Sequence, residues 1–323
     1  MEYRRLGKTP LLTSVIGLGC SRLGASVFED ETVEAESLLH FAIDHGINFF
    51  DTADSYSYGN SECLLGKAIR GKRDQVILAT KGGFLPSSLA RIGQHLVPFI
   101  GPFRTVISRN KATLKTFSQK RQNFDVQYLK KALEKSLRRL GTDYIDLYQL
   151  HSPPLAILEN GLAFRFLEQC QQEGKIRFYG ISVNSIEDGL FCLQNPQIAA
   201  LQVPINLFEQ QAVSDLLPHA FPNTGILARV PLARGLLTEK AMIQTGPQVQ
   251  NRAEISKQQQ TLHELCAQED RRISDVAIQF LLQFTQISSI IVGTKSVNHL
   301  HRNILAGQQP ALSHELITHI TSL

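Results

Sequence analysis

The sequence lacks the features that mark membrane-spanning and secreted proteins. No apolar run reaches the roughly 18 residues that cross a bilayer, and the opening stretch MEYRRLGKTP has no apolar core of a signal peptide. The cysteines are scattered without a CxxC pair, which favours reduced thiols over disulfides or a thiolate metal site. We therefore expect a cytoplasmic protein with no membrane partner.

Motifs for metal ions and nucleic acid are also lacking. Ten histidines are present, but none forms an HExxH-type pattern, so we expect no metal. The net charge of +4 is too small to indicate nucleic acid as a partner. With 43% hydrophobic and 19% charged residues, the composition is that of a globular protein with a filled core.

Acidic residues are missing from one stretch of the chain. Between Gly82 and Phe124 there are seven Lys or Arg and no Asp or Glu, so this stretch carries +7 and the remainder sums to −3. We call residues 84–124 the basic segment. Its prolines interrupt the alternation of strands and helices seen elsewhere, which predicts a long loop.

Eight short apolar runs alternate with amphipathic helical patterns along the chain. The runs are rich in β-branched and aromatic residues, as expected for buried parallel strands. They cover residues 14–19, 47–51, 75–81, 144–151, 176–183, 198–204, 225–230 and 288–294. One helix is expected to open at Ser61, with Glu62 near the positive end of its dipole.

This alternation predicts the α/β class and, at this length, a (β/α)8 TIM barrel with an extended loop after the third strand. The alternative is an open doubly wound sheet, which usually carries GxGxxG after its first strand. Here the first strand ends in GLGCSRLG, which does not keep that spacing. No repeat or linker separates a second domain. We expect one barrel domain over residues 1–323, with the basic segment as an insertion.

Four ionisable residues stand at the ends of successive runs, where a barrel places its chemistry. Asp51, Lys81 and His151 end the second, third and fourth runs, and Tyr56 follows Asp51 in the next loop. A lone phenol is a poor acid at neutral pH, but a neighbouring ammonium lowers its pKa. The carboxylate would pair with the ammonium, and the imidazole would share in proton donation. Together they predict an enzyme that protonates a carbonyl oxygen while a cofactor supplies hydride.

Each of these residues has a simpler interpretation when it is taken alone. Lys81 is then a solvated strand end and His151 a satisfied histidine of the rim, while Tyr58 competes with Tyr56 for the role of acid. Their joint occurrence on successive strand ends favours the catalytic interpretation.

Three longer motifs resemble the aldo-keto reductase superfamily. The stretch DTADSYSYGNSECLLGKAI (51–69) is similar to its Asp-Thr-Ala-x-x-Tyr-Gly signature, and LEKSLRRLGTDYIDLYQLH (133–151) to a second, longer one. GKIRFYGISVNS (174–185) is similar to the strand and loop that carry the nicotinamide contacts. The resemblance covers nearly the whole chain.

The resemblance implies an NADPH-dependent oxidoreductase that reduces an aldehyde or ketone, or oxidises the corresponding alcohol or sugar. It makes Tyr56 the general acid/base, Lys81 the residue that lowers its pKa, and Asp51 the residue that orients Lys81. His151 would orient the substrate carbonyl. The sequence does not identify the small-molecule substrate, and we expect a monomer or a simple homo-oligomer.

The resemblance also implies a set of cofactor-binding residues. Ser182 and Gln202 would hold the nicotinamide carboxamide. Thr294, Lys295 and Ser296 suit a 2′-phosphate at a helix start, which favours NADPH over NADH. The full set is Ser182, Asn184, Gln202, Arg229, Leu232, Gly235, Gly293, Thr294, Lys295, Ser296, His299 and Asn303.

Two positions after the last barrel strand depart from the family pattern. His299 stands where an arginine or glutamine is usual, and Arg302 stands where a glutamate commonly meets adenine. Arg302 would add positive charge for a phosphate instead.

Three further positions depart from the family pattern. Ser57 stands where a glycine usually follows the catalytic tyrosine. Val183 stands where many members have asparagine, with Asn184 as its substitute. Arg229 stands where many members stack a tyrosine on the nicotinamide ring, and a guanidinium plane can also stack.

The basic segment has three interpretations. Its charges steer an anionic substrate, for instance a phosphorylated or carboxylated aldehyde, or they are simply solvated on a surface excursion, which we favour. In the third, Leu89, Ile92, Leu96 and Phe99 form an apolar face that caps the pocket or contacts a membrane or partner.

A second function comes from a different class of protein. The β-subunits of voltage-gated potassium channels keep this barrel and act largely as regulators, so a cofactor-sensing regulatory binding protein is the alternative. The four rim residues do not separate the two. The lack of a long segment before the first strand favours the enzyme.

Overall fold

The computed structural model describes residues 1–24, 29–85, 121–220, 222–239 and 252–322. Its strands are β1 (Tyr3–Arg5), β2 (Leu12–Ser14), β3 (Ile16–Gly19), β4 (Phe49–Asp51), β5 (Ile77–Gly82), β6 (Ile145–His151), β7 (Ile176–Ser182), β8 (Ala200–Pro204), β9 (Gly225–Arg229) and β10 (Ile287–Gly293).

The strands β3 to β10 close into a parallel barrel. Each pairs with the next, and β10 pairs with both β9 and β3. These eight strands coincide with the eight apolar runs, so the predicted (β/α)8 barrel is confirmed. All residues of β4 and β5 are buried, as expected for strands that are covered on both faces.

Helices surround the barrel. They are α1 (Glu29–Asp44), α2 (Asn60–Ala68), α3 (Val126–Leu140), α4 (Leu155–Asn160), α5 (Leu162–Gln172), α6 (Ile186–Leu193), α7 (Gln211–Asp215), α8 (Leu217–Ala220), α9 (Arg252–Gln268), α10 (Ile273–Leu282), α11 (Val297–Ala306) and α12 (His314–Thr321). The ends of α3 follow its sequence. The Asp125 carboxylate accepts from the N–H groups of Gln127 and Tyr128, and Gly141, with a φ of 66°, ends the helix.

Helix α2 begins one residue earlier than expected. Gly59, with a φ of 93°, precedes it, and Ser61 does not cap it. The Ser61 hydroxyl donates instead to the carbonyl oxygen of Cys20 at 2.9 Å. Glu62 does lie in the first turn, but it is fully buried and accepts from Arg139 at 2.6 Å. A buried ion pair, more than the helix dipole, therefore holds Glu62.

Apolar residues form one core between the barrel and its helices and a second core inside the barrel. The β1–β2 hairpin closes the interior core at the amino-terminal end of the strands, where Leu6 and Leu11 insert. The sequence patterns did not predict this hairpin, because strands of three residues are too short to show a period.

Strand parity places the predicted site residues inside the rim. Every second residue of a barrel strand points inward, and the interior core fixes this parity on β4 to β10. Residues that lie two or four positions after an interior core residue on the same strand therefore also point inward. At the carboxyl-terminal ends of the strands these inward residues are Asp51, Lys81, His151, Ser182, Gln202, Arg229 and Gly293.

Only the two ends of the basic segment fall within the described ranges. Phe84 forms an antiparallel bridge with Gln122, and the Leu85 N–H donates to the carbonyl oxygen of Arg121 at 2.8 Å. This pairing closes the base of the loop directly after β5. Residues 86–120 lie outside the described ranges, and with them most of the positive charges and the predicted apolar face.

The described part of the chain contains neither a candidate membrane span nor a candidate metal site. No helix there is both long and apolar enough to span a bilayer. No group of three or more His, Cys, Asp or Glu side chains there is arranged to hold a metal ion.

Candidate active site

A buried ion pair joins β4 and β5 at the carboxyl-terminal rim. Lys81 Nζ donates to both carboxylate oxygens of Asp51 at 2.7 Å and to the carbonyl oxygen of Thr52 at 2.8 Å. Lys81 is 1% exposed and Asp51 4% exposed, so each charge depends on the other for compensation. Gln149 adds a hydrogen bond from its amide to Asp51 Oδ1 at 3.3 Å. These contacts fix the ammonium in one position.

The Lys81 ammonium stays charged at neutral pH. Burial lowers its pKa, while the Asp51 carboxylate and the Tyr56 oxygen raise it, and the net pKa is above its ordinary value.

Tyr56 stands between this ammonium and His151. The Lys81 Nζ lies 5.2 Å from the centroid of the Tyr56 ring, and its charge acts to lower the pKa of the phenol. The rings of Tyr56 and His151 meet edge to face, with their centroids 5.8 Å apart. The structure therefore brings Asp51, Tyr56, Lys81 and His151 together at one point of the rim.

Two opposing influences set the pKa of Tyr56. Burial has the largest influence and raises the pKa of the phenol, Lys81 lowers it, and Asp51 raises it again. Lys81 therefore acts on the phenol in the expected direction, while burial keeps the net pKa above its ordinary value. The hydroxyl is protonated at neutral pH, as a proton donor must be.

The loop after Tyr56 has an unusual backbone. Ser57 and Tyr58 have φ angles of 48° and 57°, in the left-handed region that side chains disfavour. Ser57 thus takes the conformation expected of the glycine that it replaces. Its hydroxyl donates to the carbonyl oxygen of Leu23 at 2.7 Å, which holds this turn against the loop after β3.

Strained backbone is concentrated along the rim. Seven described residues other than glycine have positive φ, and six of them lie in loops that follow barrel strands. These six are Ser57, Tyr58, Ser152, Val230, Ala233 and Arg234. Such strain persists where the surrounding structure imposes it, commonly at functional sites.

The base of the basic segment contacts His151. The Phe84 ring meets the imidazole edge to face, with centroids 4.4 Å apart. Gln122 Nε2 donates to the carbonyl oxygen of Ser152 at 2.7 Å. The described ends of the basic segment therefore form one wall of the site.

The residues expected around the nicotinamide are neighbours on the barrel. His151 pairs in register with Ser182, and Ser182 with Gln202. Ser182 and Gln202 are each 2% exposed. Gln202 Nε2 has no hydrogen-bond partner among the described residues. A buried amide donor at an inward position suits a ligand with a carboxamide oxygen.

Arg229, at the end of β9, holds its guanidinium against the loop that follows β7. Its Nη2 donates to Asn184 Oδ1 at 2.7 Å and to the carbonyl oxygen of Val183 at 3.1 Å. Burial lowers the pKa of the guanidinium, and the charges of Tyr56 and Glu209 act in the other direction. Asn184 therefore orients Arg229, a role that the family resemblance did not imply.

Glycines leave room for backbone approach after β9 and β10. Leu232 and Gly235 lie in the turn that follows β9, and Gly293 ends β10. A Cβ placed on Gly235 or on Gly293 would meet no atom of the described residues within 4 Å. Open space over exposed peptide groups is what a phosphate needs to approach the backbone.

Helix α11 begins in the loop after β10. Thr294 Oγ1 accepts from the Ser296 N–H at 3.0 Å, and Ser296 Oγ accepts from the His299 N–H at 3.4 Å. His299 and Asn303 follow at a spacing of four residues, which puts them on one face of the helix, and Lys295 is exposed at its start. A helix start with a lysine beside it suits a phosphate group.

Together these features fit a nicotinamide dinucleotide laid across the rim. The predicted carboxamide partners lie in β7 and β8, the open glycines lie after β9 and at the end of β10, and the predicted phosphate-binding residues lie at the start of α11. The twelve predicted cofactor residues are therefore distributed over the ends of β7 to β10, the loops that follow these strands, and α11.

Sequence reasoning missed three buried polar residues beside the site. Gln149 lies two residues before His151 on the inward parity, and this signal could have revealed it. Cys20 is fully buried, and burial followed by the charge of Asp51 raises the pKa of its thiol. Asp54 has a pKa raised to about 8, chiefly by burial and then by Glu62. No local pattern indicates the last two, because their surroundings come from distant segments.

The family model for the Aldo/keto reductase family matches residues 15–323, which includes every site residue described above. The chain belongs to this family. This aldo/keto reductase is an oxidoreductase, and the resemblance on which the site residues were chosen is confirmed.

Individual relatives cover the chain from end to end. It is 32% identical to the uncharacterized oxidoreductase YqkF of Bacillus subtilis over 333 residues, covering 100% of this chain and 96% of the relative. It is 26% identical to the NADH-specific methylglyoxal reductase of Escherichia coli, covering 95% and 93%. The holo form of the aldo-keto reductase AKR11C1 from Bacillus halodurans has a TM-score of 0.81 at 28% identity, covering 100% of this chain and 96% of that one.

Proposed function

We propose that this aldo/keto reductase reduces an aldehyde or ketone with NADPH, and that Tyr56 donates the proton. The observation that supports this most strongly is the buried Asp51–Lys81 pair, whose ammonium lies 5.2 Å from the centroid of the Tyr56 ring. A bound reduced nicotinamide supplies the hydride.

The proton step follows from the charges around Tyr56. The substrate carbonyl lies against Tyr56 and His151, and the phenolic hydroxyl donates to the oxygen as negative charge develops there. Lys81 stabilises the phenolate that is left, and Asp51 keeps the ammonium charged and in position. Because the pKa of Tyr56 is raised, the donor is fully protonated at neutral pH. Reduction is therefore favoured there, and alcohol or sugar oxidation gains as pH rises.

The cofactor preference rests on the start of α11. We propose that Lys295, Thr294 and Ser296 bind the 2′-phosphate, whereas the proposed carboxamide partners Ser182 and Gln202 would serve either dinucleotide. We propose NADPH as the cofactor, although one relative is named for NADH.

We propose further that the activity resides in one barrel domain over residues 1–323. All five cysteines are free, which suits a reducing compartment such as the cytoplasm. The partners are the cofactor and a small carbonyl or alcohol substrate, and the protein is a monomer or a simple homo-oligomer.

The decisive test replaces Tyr56 by phenylalanine, with Tyr58→Phe as the matched control. Turnover of a panel of aldehydes, followed at the nicotinamide absorbance band, should fall roughly 10²–10⁴-fold in Tyr56→Phe. Tyr58 is 39% exposed, so Tyr58→Phe should stay within about threefold of wild type. Affinity for NADPH should be unchanged in both variants, because neither hydroxyl is needed to hold the cofactor.

Equal turnover in wild type and Tyr56→Phe would refute the assigned proton donor. Tight NADPH binding without turnover of any carbonyl in the wild type would instead fit the regulatory alternative.

A further inference from the structure

A cleft lies between the loop after β3 and the start of α11. It is a small depression that is open to solvent. Its lining contains two cations, Arg22 and Lys295, and one carboxylate, Glu34 of α1, and it is completed by Leu23, Gly24 and Ala35. Neither the family resemblance nor the proposed proton step uses Arg22.

Barrel closure brings these two cations together. Gly19 at the end of β3 pairs in register with Gly293 at the end of β10. Arg22 stands three residues beyond Gly19, and Lys295 stands two residues beyond Gly293. The two side chains therefore leave adjacent strands at the same level of the rim.

The loop that carries Arg22 also contacts the proposed catalytic turn. The carbonyl oxygen of Leu23 accepts from the Ser57 hydroxyl at 2.7 Å, and Ser57 follows Tyr56 directly. Arg22 thus lies between the proton donor on one side and Lys295 on the other. In a dinucleotide, the group between the nicotinamide and the adenosine 2′-phosphate is the bridging diphosphate.

We propose that Arg22 binds the bridging diphosphate of the cofactor, an inference that rests on the proposed function. The guanidinium matches the geometry of a phosphate and makes two parallel hydrogen bonds to it. Lys295 is left to the 2′-phosphate, as proposed above. Glu34 faces the same cleft, and its charge opposes the bound anion.

The test measures the dissociation constants of NADPH and of NADH by fluorescence titration, which needs no turnover. Both dinucleotides carry the diphosphate, so Arg22→Gln should raise both dissociation constants by the same factor, about tenfold. Arg22→Lys should recover part of this loss, because it keeps the charge without the planar fork. Glu34→Gln should have the opposite effect and lower the dissociation constants of both dinucleotides about two- to threefold.

Arg70→Gln is the matched control for the charge of Arg22. Arg70 is also exposed, but it follows the carboxyl-terminal end of α2, away from the rim. Its replacement should leave both constants unchanged. Both arginines are on the surface, so urea midpoints should confirm that the variants fold like the wild type.

Three outcomes would overturn this inference. Unchanged constants in Arg22→Gln would remove Arg22 from the cofactor site while the proposed function stands. Weaker binding of NADPH alone would assign Arg22 to the 2′-phosphate instead. A wild-type protein that binds neither dinucleotide would refute the proposed function itself, and this inference with it.

Discussion

Asp54 is a carboxyl group in a buried environment that disfavours its ionised form. It is 9% exposed, and its Oδ1 has no hydrogen-bond partner among the described residues. Burial and the Glu62 carboxylate raise its pKa to about 8, although Arg139 and Lys81 act in the other direction. The carboxyl of Asp54 is therefore neutral in the folded protein at physiological pH.

The raised pKa of Asp54 predicts a particular dependence of stability on pH. An unfolded Asp ionises near pH 3.9, whereas the folded one holds its proton up to about pH 8. The folded state then binds more protons between these values, so this contribution to stability falls as pH rises from about 4 to 8.

Asp54→Asn should remove that slope. At pH 9, where the wild type carries a buried charge, the variant should be more stable by on the order of 5 kcal/mol, because the pKa rises from about 3.9 to about 8 on folding, and at pH 4 the two should be nearly equal. Urea unfolding at several pH values measures this, with exposed Asp74→Asn as the control. A variant that is less stable than wild type at pH 9 would show that the Asp54 carboxylate is stabilising when ionised.

The residues of the site differ in how far the sequence could reveal them. Asp51, Lys81 and His151 end apolar runs, and a parallel barrel must bring such ends together. Asp54 could not be identified, because its burial depends on Glu62 and Arg139, which belong to two separate helices.

At the level of elements, α2 and α3 are joined by a buried charge pair. Arg139 donates to Glu62 Oε2, and Thr80 of β5 donates to Glu62 Oε1, both at 2.6 Å. Glu62 is 0% exposed. A Cβ at Gly59 would lie 2.7 Å from Arg139 Cδ, so the guanidinium also packs under the turn that follows Tyr56. The Glu62–Arg139 pair therefore packs against the turn that follows the proposed proton donor Tyr56.

The ion pair predicts a strongly non-additive double-mutant cycle. Arg139→Met alone leaves the Glu62 charge buried without its cation and should destabilise the protein by about 3–5 kcal/mol. Adding Glu62→Gln removes that charge, and the double variant should recover at least half of the loss. Urea unfolding of wild type, both single variants and the double variant gives the coupling energy. Additive losses would mean that the two side chains contribute independently.

The elements themselves were predictable where local pattern and tertiary structure agree. The eight barrel strands are apolar runs that remain buried on both faces. The β1–β2 hairpin was not predictable, since what makes Leu6 and Leu11 important is the open end of the barrel and not their neighbours in sequence. The left-handed turn at Ser57 was not predictable either, because serine disfavours that conformation and the contact with Leu23 that supports it comes from a distant segment.

At the scale of the whole molecule, the proposed cofactor residues lie at strand ends from β7 to β10, and the proposed diphosphate contact of Arg22 adds the loop after β3. A ligand that touches so many strand ends binds the closed barrel and not the unfolded chain. Its binding free energy therefore adds to the stability of the entire fold.

NADPH at a hundredfold excess over its dissociation constant should stabilise the protein by about 2.7 kcal/mol. For a chain of 323 residues, this corresponds to a rise in Tm of about 4 °C, because the entropy of unfolding scales with length.

Scanning calorimetry at one fixed concentration of NADPH or NADH tests the assignment of Lys295. Lys295→Ala should reduce the shift caused by NADPH and leave that caused by NADH, since only NADPH carries the 2′-phosphate. Tyr56→Phe should keep both shifts. Equal reductions for the two dinucleotides in Lys295→Ala would remove Lys295 from 2′-phosphate recognition, and with it the proposed preference for NADPH.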